Sequence, residues 1–167
     1  MGKTVERRLT RAEVPVDLTW NLDDLFVSEE AWEAELIEIE NQIAQFHRFK
    51  GTLHISSKVL LDCLCAQEQL SMQIIKAWTF ASLKQSADGS DSINQANMAK
   101  FSSLRTKSIA ALSFINSEIL AFEDGTIEQY LNEEPGLAAF RKNLVDLLQT
   151  KKHTLSPETE EALAALG

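Results

Sequence analysis

The chain has 167 residues, 44% of them hydrophobic, and a formal net charge of −9 at pH 7. This length suits one domain with a buried core, and the acidic balance argues against nucleic acid and anionic membrane surfaces as partners. No apolar run approaches 18 residues, and the polar, basic start Met1–Thr10 does not resemble a secretory signal, so neither a membrane span nor export is predicted.

Residues 1–27 are predicted to form a loose basic arm and an apolar strap, with Trp20 and Phe26 buried as pegs. A first helix is predicted over residues 28–50. Ser28 serves as its N-cap, and Gly51 ends it. Its apolar residues step by three and four along one narrow stripe: Trp32, Leu36, Ile39, Ile43 and Phe46.

Two long helices are predicted over residues 57–87 and 92–123, on either side of the bend Ser86–Ser92. Each run of about 30 residues makes a helix of roughly 45–50 Å, whereas a compact domain of this size is only ~40 Å across. The hairpin therefore predicts an elongated body. Ser92 and Gln95 form the pattern of a capping box at the second long helix.

The apolar residues of helix 57–87 cover about half of its circumference, which is typical of a helix with two neighbours. One line contains Leu60, Leu64, Ile74, Ile75 and Trp78, and the adjoining line contains Val59, Cys63, Ala66, Leu70 and Ala77. Four apolar residues fall outside this arc, either as scattered surface residues or as contacts to a missing partner: Leu61, Met72, Phe80 and Leu83. The next helix has a narrower stripe: Ile93, Phe101, Leu104, Ala111, Leu112, Ile115, Ile119 and Phe122.

Shorter helices are predicted over residues 126–131 and 135–151, with Thr126 and Gln129 as a capping pair and Pro135 in a first turn. Residues 156–167 begin another helix, which we expect to lead into further sequence. The predicted fold is all-α, an elongated antiparallel helical bundle built on the long hairpin, with residues 28–151 as the helical domain.

Acidic residues crowd the strap and the start of the first helix: Asp23, Asp24, Glu29, Glu30, Glu33, Glu35, Glu38 and Glu40. A solvated face that complements the helix dipole is favoured over a cation or peptide-amine site.

No reactive centre is predicted, so we assign no catalytic, cofactor-binding or metal-binding residue. The three histidines, His47, His54 and His153, stand in no zinc-binding pattern. The segment Asp88–Asp91 lacks the spacer and terminal glutamate of a calcium loop and is interpreted as a helix-to-helix turn. Cys63 and Cys65 point to different faces of a helix, so a disulfide is not expected and the cytoplasm is the predicted compartment.

Three groups of residues, in this order, are similar to the oligoendopeptidase F zinc metallopeptidases, a thimet oligopeptidase-like family. The first joins an arginine-to-proline arm, a tryptophan-leucine strap and a tryptophan-containing helix, the second flanks the bend, and the third is the most telling. They are Arg11–Pro15 with Thr19–Phe26 and Glu29–Trp32, then Ala81–Lys84 with Ala111–Leu120, then Lys152–Glu161. The resemblance covers nearly the whole chain.

The resemblance implies the N-terminal, non-catalytic helical domain of a longer cytoplasmic peptidase that hydrolyses short peptides. In that family the catalytic part carries H-E-x-x-H and a downstream glutamate on zinc, and the N-terminal region helps to wall the substrate channel. None of these zinc ligands matches a position here, so whether this chain is an enzyme stays uncertain, and alone it should be inactive. The expected partners are the missing catalytic domain and, through the parent enzyme, oligopeptides.

Apolar residues outside the main stripes would be uncovered without the catalytic part, so the isolated chain is expected to self-associate through the hairpin. The alternative function is a freestanding helical adaptor that binds a protein partner along the hairpin. The reading frame beyond Gly167 separates these two hypotheses.

Overall fold

A computed structural model describes Leu9 and residues 11–153, with side-chain positions given for all of these except Ala12 and residues 151–153. Five α-helices and several short 3-10 helices account for the ordered backbone over this range, and the range contains no β-strand. The prediction of an all-α fold is confirmed. The α-helices are α1 (Glu29–Gln45), α2 (Ser57–Ala87), α3 (Ser92–Leu120), α4 (Thr126–Glu133) and α5 (Arg141–His153).

The chain divides into two compact units, and α2 and α3 each contribute a length to both. The first unit comprises the described residues up to Gln42 together with Leu70–Ser108. The second comprises Ile43–Gln69 together with the described residues from Ile109. The predicted division into arm, helical domain and onset of a further helix stays a prediction, as does the elongated shape.

The first unit is centred on Trp32 of α1, which is completely buried. Its indole Nε1 donates a hydrogen bond to the carbonyl oxygen of Ala77 in α2 at 2.9 Å. Its ring stacks on Phe80 at a centroid distance of 6.1 Å, and Phe26 of the strap meets the Phe80 ring edge-on at 5.4 Å. Phe26 is therefore a buried peg, as predicted. Trp20 is 60% exposed, and its prediction as a peg was wrong.

Ion pairs between helices also join α1 to the hairpin in the first unit. Glu29 pairs with Lys84 of α2. Two further pairs, Glu33 with Lys100 and Glu40 with Lys107, join α1 to α3. Residue numbers rise together along α1 and α3 in these last two pairs, so the two helices run parallel. Three of the crowded carboxylates, those of Glu29, Glu33 and Glu40, thus pair with lysines of other helices. The prediction of a solvated face did not include these pairs.

The hairpin bend follows the predicted position but not the predicted cap. The carboxylate of Asp91 accepts a hydrogen bond from the backbone N–H of Ile93 at 2.7 Å, so Asp91 takes the capping position that we had assigned to Ser92. Gln95 donates its side-chain N–H to the carbonyl oxygen of Gly89 at 2.8 Å. Asn94, which is buried, donates to the carbonyl oxygens of Lys84 and Asp88 and so satisfies the open end of α2.

The second unit has its own apolar core, which includes Leu60, Ile115 and Leu137. In addition, side chains bond to the backbone of the turn after α1. The carboxylate of Glu118 in α3 accepts hydrogen bonds from the backbone N–H groups of Gly51 and Leu53. The hydroxyl of Tyr130 in α4 donates to the carbonyl oxygen of His54 at 2.7 Å. The turn after α1 is thereby fixed against α3 and α4, since its backbone groups find partners that no helix supplies.

The first helix begins and ends close to the predicted residues, but its last turn is a 3-10 helix and not α-helical. Ser28 caps α1, as predicted, by accepting a hydrogen bond from the N–H of Ala31 at 3.2 Å. The α-helix ends at Gln45 and continues as a 3-10 turn over Phe46–Phe49. Gly51 then has a φ of 78°, the left-handed conformation of a helix stop.

Two predictions for the later helices were wrong: the cap of α4 and the type of the helix that begins at Pro135. Gly125, with a φ of 89°, precedes α4, and no side chain caps that helix, so the predicted pair of Thr126 and Gln129 was wrong. The predicted helix 135–151 begins instead as a 3-10 helix over Pro135–Phe140, with Pro135 in its first turn. The α-helix starts only at Arg141. The expected helix over residues 156–167 lies outside the described residues.

Candidate functional site

The histidines occupy structural positions where the structure describes them. His47 Nδ1 lies 2.6 Å from the carbonyl oxygen of Ala44. His54 is exposed, and its backbone carbonyl receives the Tyr130 hydroxyl. The side chain of His153 lies outside the described residues. Within the described part of the chain, no three histidine, cysteine, aspartate or glutamate side chains come together in a group that could hold a metal ion.

The two carboxylates of the bend, Asp88 and Asp91, accept hydrogen bonds from residues of the bend and of the start of α3. Asp88 accepts hydrogen bonds from the backbone N–H of Ser90 at 3.0 Å and from its hydroxyl at 2.7 Å. These bonds to Ser90 hold the pKa of Asp88 below its ordinary value. Asp91 caps α3. Both carboxylates thus stabilise a helix-to-helix turn, as that segment was interpreted.

The two cysteines are free thiols in different environments. Cys63 is fully buried in the second unit, and Cys65 is half-buried. Burial, with a smaller contribution from the nearby carboxylate of Glu118, raises the pKa of Cys63 to about 12. A thiol with such a pKa is protonated at neutral pH and is a poor nucleophile.

An apolar groove between α2 and α3 is the strongest candidate site in the first unit. We call it the Trp78 groove; it has a volume of about 460 Å³. Its lining consists of Ile74, Ile75, Trp78, Met98, Phe101, Ser102 and Arg105. Ile75 is 59% exposed and Trp78 is 49% exposed, and Met72, also on α2, is 60% exposed. Large apolar side chains so exposed on one helix are typical of a surface that binds a partner.

The structure shows that the face of α2 predicted to be buried was partly wrong. Ile75 and Trp78 were placed in the buried arc, yet both are exposed. Phe80, placed outside that arc, is buried against Phe26 and Trp32. The reason is tertiary: α2 turns the side that carries Ala77 and Phe80 towards α1 and the strap, and sequence periodicity cannot choose between two apolar lines. In the predicted apolar stripe of α3, the first residue, Ile93, is exposed and not buried.

Two other grooves carry charge. In the first unit, a groove between α1 and α3 has Leu36 and Leu104 in its lining, together with the ion pairs of Glu33 and Glu40. In the second unit, a groove beside α4 and α5 combines apolar residues with Glu123, Asp124 and Glu128. The Trp78 groove differs from both because arginine is the only charged residue type in its lining.

Comparison with known proteins gives a consistent set of similarities. A family model described as "Oligopeptidase F" matches residues 118–167. The chain is 30% identical over 155 residues to "Oligopeptidase PepF" of Bacillus subtilis (strain 168), a match that covers 93% of this chain and 23% of the relative. It is 29% identical over 154 residues to "Group B oligopeptidase PepB" of Streptococcus agalactiae serotype III (strain NEM316), covering 92% of this chain and 26% of the relative.

A solved structure is similar in the same way. The crystal structure of oligoendopeptidase-F from Enterococcus faecium matches with a TM-score of 0.69 and 30% sequence identity, over 82% of this chain and 27% of that one. The chain therefore spans about a quarter of the length of these relatives.

The described residues form an all-α fold, and the two relatives and the solved structure that match it are named as oligopeptidases or an oligoendopeptidase. More particularly, the chain corresponds to an N-terminal region of oligoendopeptidase F. The resemblance predicted from the motifs of the strap, the bend and the C-terminal stretch is thus confirmed.

Proposed function

We propose that this chain is the non-catalytic N-terminal helical domain of a zinc-dependent oligoendopeptidase that hydrolyses short peptides. The observation that carries the proposal is the match to oligopeptidase PepF over 93% of this chain but only 23% of that relative. A domain that forms one quarter of a peptidase leaves the remaining three quarters to hold the catalytic machinery.

In this proposal the zinc ligands and the general base come from the catalytic part, which carries H-E-x-x-H and a downstream glutamate. This chain contains no such motif. Its histidines support that division of labour, since the ring of His47 contacts a backbone carbonyl and His54 contributes its own carbonyl to a structural hydrogen bond.

The role proposed for the helical domain is to wall the substrate channel, so that only short, unfolded peptides reach the catalytic part. A wall must keep its shape while peptides pass. The buried Trp32 cluster and the ion pairs of α1 with α2 and α3 support such rigidity in the first unit. A cytoplasmic location, consistent with two free cysteines, is part of the proposal.

Peptidase assays on the product of the complete reading frame test this function. We expect that product to cleave an oligopeptide of about ten residues and to lose the activity in a chelator, because the catalytic water would be activated by zinc. The 167-residue chain, shown to be helical by circular dichroism, should not cleave the same peptide.

Two results would overturn the proposal. One is chelator-sensitive cleavage by the purified 167-residue chain. The other is a reading frame that closes after Gly167, which would favour the freestanding adaptor instead.

The isolated chain is expected to self-associate through its exposed apolar side chains, Trp78 and Ile75 among them. The net charge of −9 opposes association of two copies, and salt screens that repulsion. Light scattering should therefore show a mass that rises above one chain with concentration, and rises further at higher salt. A constant monomer mass at high concentration would contradict this expectation.

A further inference from the structure

We propose that the Trp78 groove is the surface that receives the catalytic part of the longer polypeptide. This inference rests on the proposed function and deepens it by naming the contact surface. It concerns the first unit alone, where α2 and α3 form the groove.

The residue types in the groove are those of an interface centre. Trp78 and Arg105 belong to the types that are enriched where binding energy is concentrated. Met98 is unbranched and half-buried, and such side chains adapt their shape to a partner. Phe101 is buried and closes the floor. Lysine and glutamate, which interface centres avoid, do not line the groove.

The groove lies on the side of the α2–α3 pair that α1 does not cover. On α3, Lys100 and Lys107 point to α1 through their ion pairs. Met98, Ser102 and Arg105 lie on a different side of the same helix, since each is displaced by about 140–200° from Lys100 at 100° per residue. Among the described residues, the contacts that build the first unit thus leave this face open.

Two observations favour the rest of the polypeptide over a second copy as the occupant. The relatives are about four times as long as the matched region, so a parent of their size supplies a large covalently linked partner at high effective concentration. A second copy would instead bring another net charge of −9. Because Arg105 is the charged residue of the lining, the matching surface should be apolar with an acidic group opposite the guanidinium.

Cysteine labelling tests the assignment. Ile75→Cys reports on the groove, and Ile37→Cys on α1 is the matched control, because the two isoleucines are 59% and 62% exposed. Both variants carry Cys65→Ser. Each is prepared in the 167-residue chain at low concentration and in the product of the complete reading frame, and a charged maleimide is followed at the labelled residue by mass spectrometry.

We expect labelling at position 75 to be at least roughly tenfold slower in the longer protein than in the short chain, with equal rates at position 37. Equal rates at position 75 in both proteins would overturn the inference. So would slowing at position 75 that appears only when the short chain is concentrated, because the occupant would then be a second copy.

Peptidase activity of the same longer protein separates this failure from failure of the proposed function. Suppose that the longer Ile75→Cys protein shows chelator-sensitive cleavage, and that its introduced thiol is labelled as fast as in the short chain. That result refutes the docking surface alone. A reading frame that closes after Gly167 refutes both.

Discussion

Different kinds of contact stand out inside each of the two units of the chain. In the first, side chains of long helices meet one another, as in the rings of Trp32 and Phe80 and the ion pair of Glu33 with Lys100. In the second, side chains reach the backbone of a loop, as Glu118 and Tyr130 do. Long helices satisfy most of their own backbone groups, whereas a loop does not. Both units bury an apolar core, and the second adds side-chain hydrogen bonds to a loop whose backbone groups no helix satisfies.

The largest expected effect tests packing in the first unit. Trp32→Ala removes a completely buried indole, its hydrogen bond to Ala77 and its stacking on Phe80. The free energy of unfolding should fall by about 3–5 kcal/mol. Chemical denaturation followed by circular dichroism measures the change.

Trp20→Ala is the matched control, because Trp20 is largely exposed in the same unit. Its effect should stay within about 0.5 kcal/mol. Equal losses for both tryptophans would contradict the assignment of Trp32 as the centre of the core.

The close approach of Gly136 to Leu61 in the second unit predicts a smaller effect on stability. A Cβ added at Gly136 would lie 2.6 Å from Cδ2 of Leu61, so Gly136→Ala forces that side chain to move. Because Cδ2 is the end of a flexible, half-buried side chain, we expect a loss of at most about 1 kcal/mol in the free energy of unfolding. Gly89→Ala is the control, because its nearest neighbour would lie at 3.5 Å. A neutral Gly136→Ala would show that Leu61 repacks freely.

The contribution of side-chain-to-backbone bonds is measured at Glu118. Glu118→Gln leaves one acceptor oxygen for the two N–H groups of Gly51 and Leu53, so we expect a loss of about 1–3 kcal/mol. Glu33→Gln breaks an ion pair that is about half exposed and should cost only about 0–1 kcal/mol. Denaturation curves that reverse this order would refute the contrast between the units.

The smallest effect at neutral pH is that of Cys63, whose ionisation changes stability only as the pH rises. Burial raises its pKa from 9.0 to about 12 in the folded chain, so between these two values the unfolded chain releases a proton that the folded chain retains. The free energy of unfolding should therefore decline with pH over this range because of Cys63. Cys63→Ala should decline less steeply, as urea denaturation at several pH values would show, and equal slopes would contradict the buried thiol.

Local signals explain the parts of the fold that could be predicted. The bend was placed correctly because a short polar segment with Gly89 interrupts two runs without proline or glycine. Ser28 and Gly51 were identified from residue chemistry alone, one as a cap and one as a stop. Asp91 was missed because two adjacent residues, Asp91 and Ser92, are both good caps and only the backbone geometry distinguishes them.

The candidate site itself could not have been found from the sequence. Ile75 and Trp78 lie on an apolar line of α2 that looks as suitable for burial as the line through Ala77. The signal that existed was the width of the apolar arc, about half of the circumference. It indicated more than one neighbour but not which part would remain open in this chain.

By itself the sequence determined that the chain is helical, where its long helices turn and which family it resembles, because periodicity, caps and motifs are local properties. Only the tertiary structure decided that Phe80 is buried while Trp78 faces outwards, and that crowded carboxylates on α1 pair with lysines far along the chain. Those outcomes depend on which helix faces which neighbour. That choice is made by the packing of several elements at once, and no single segment encodes it.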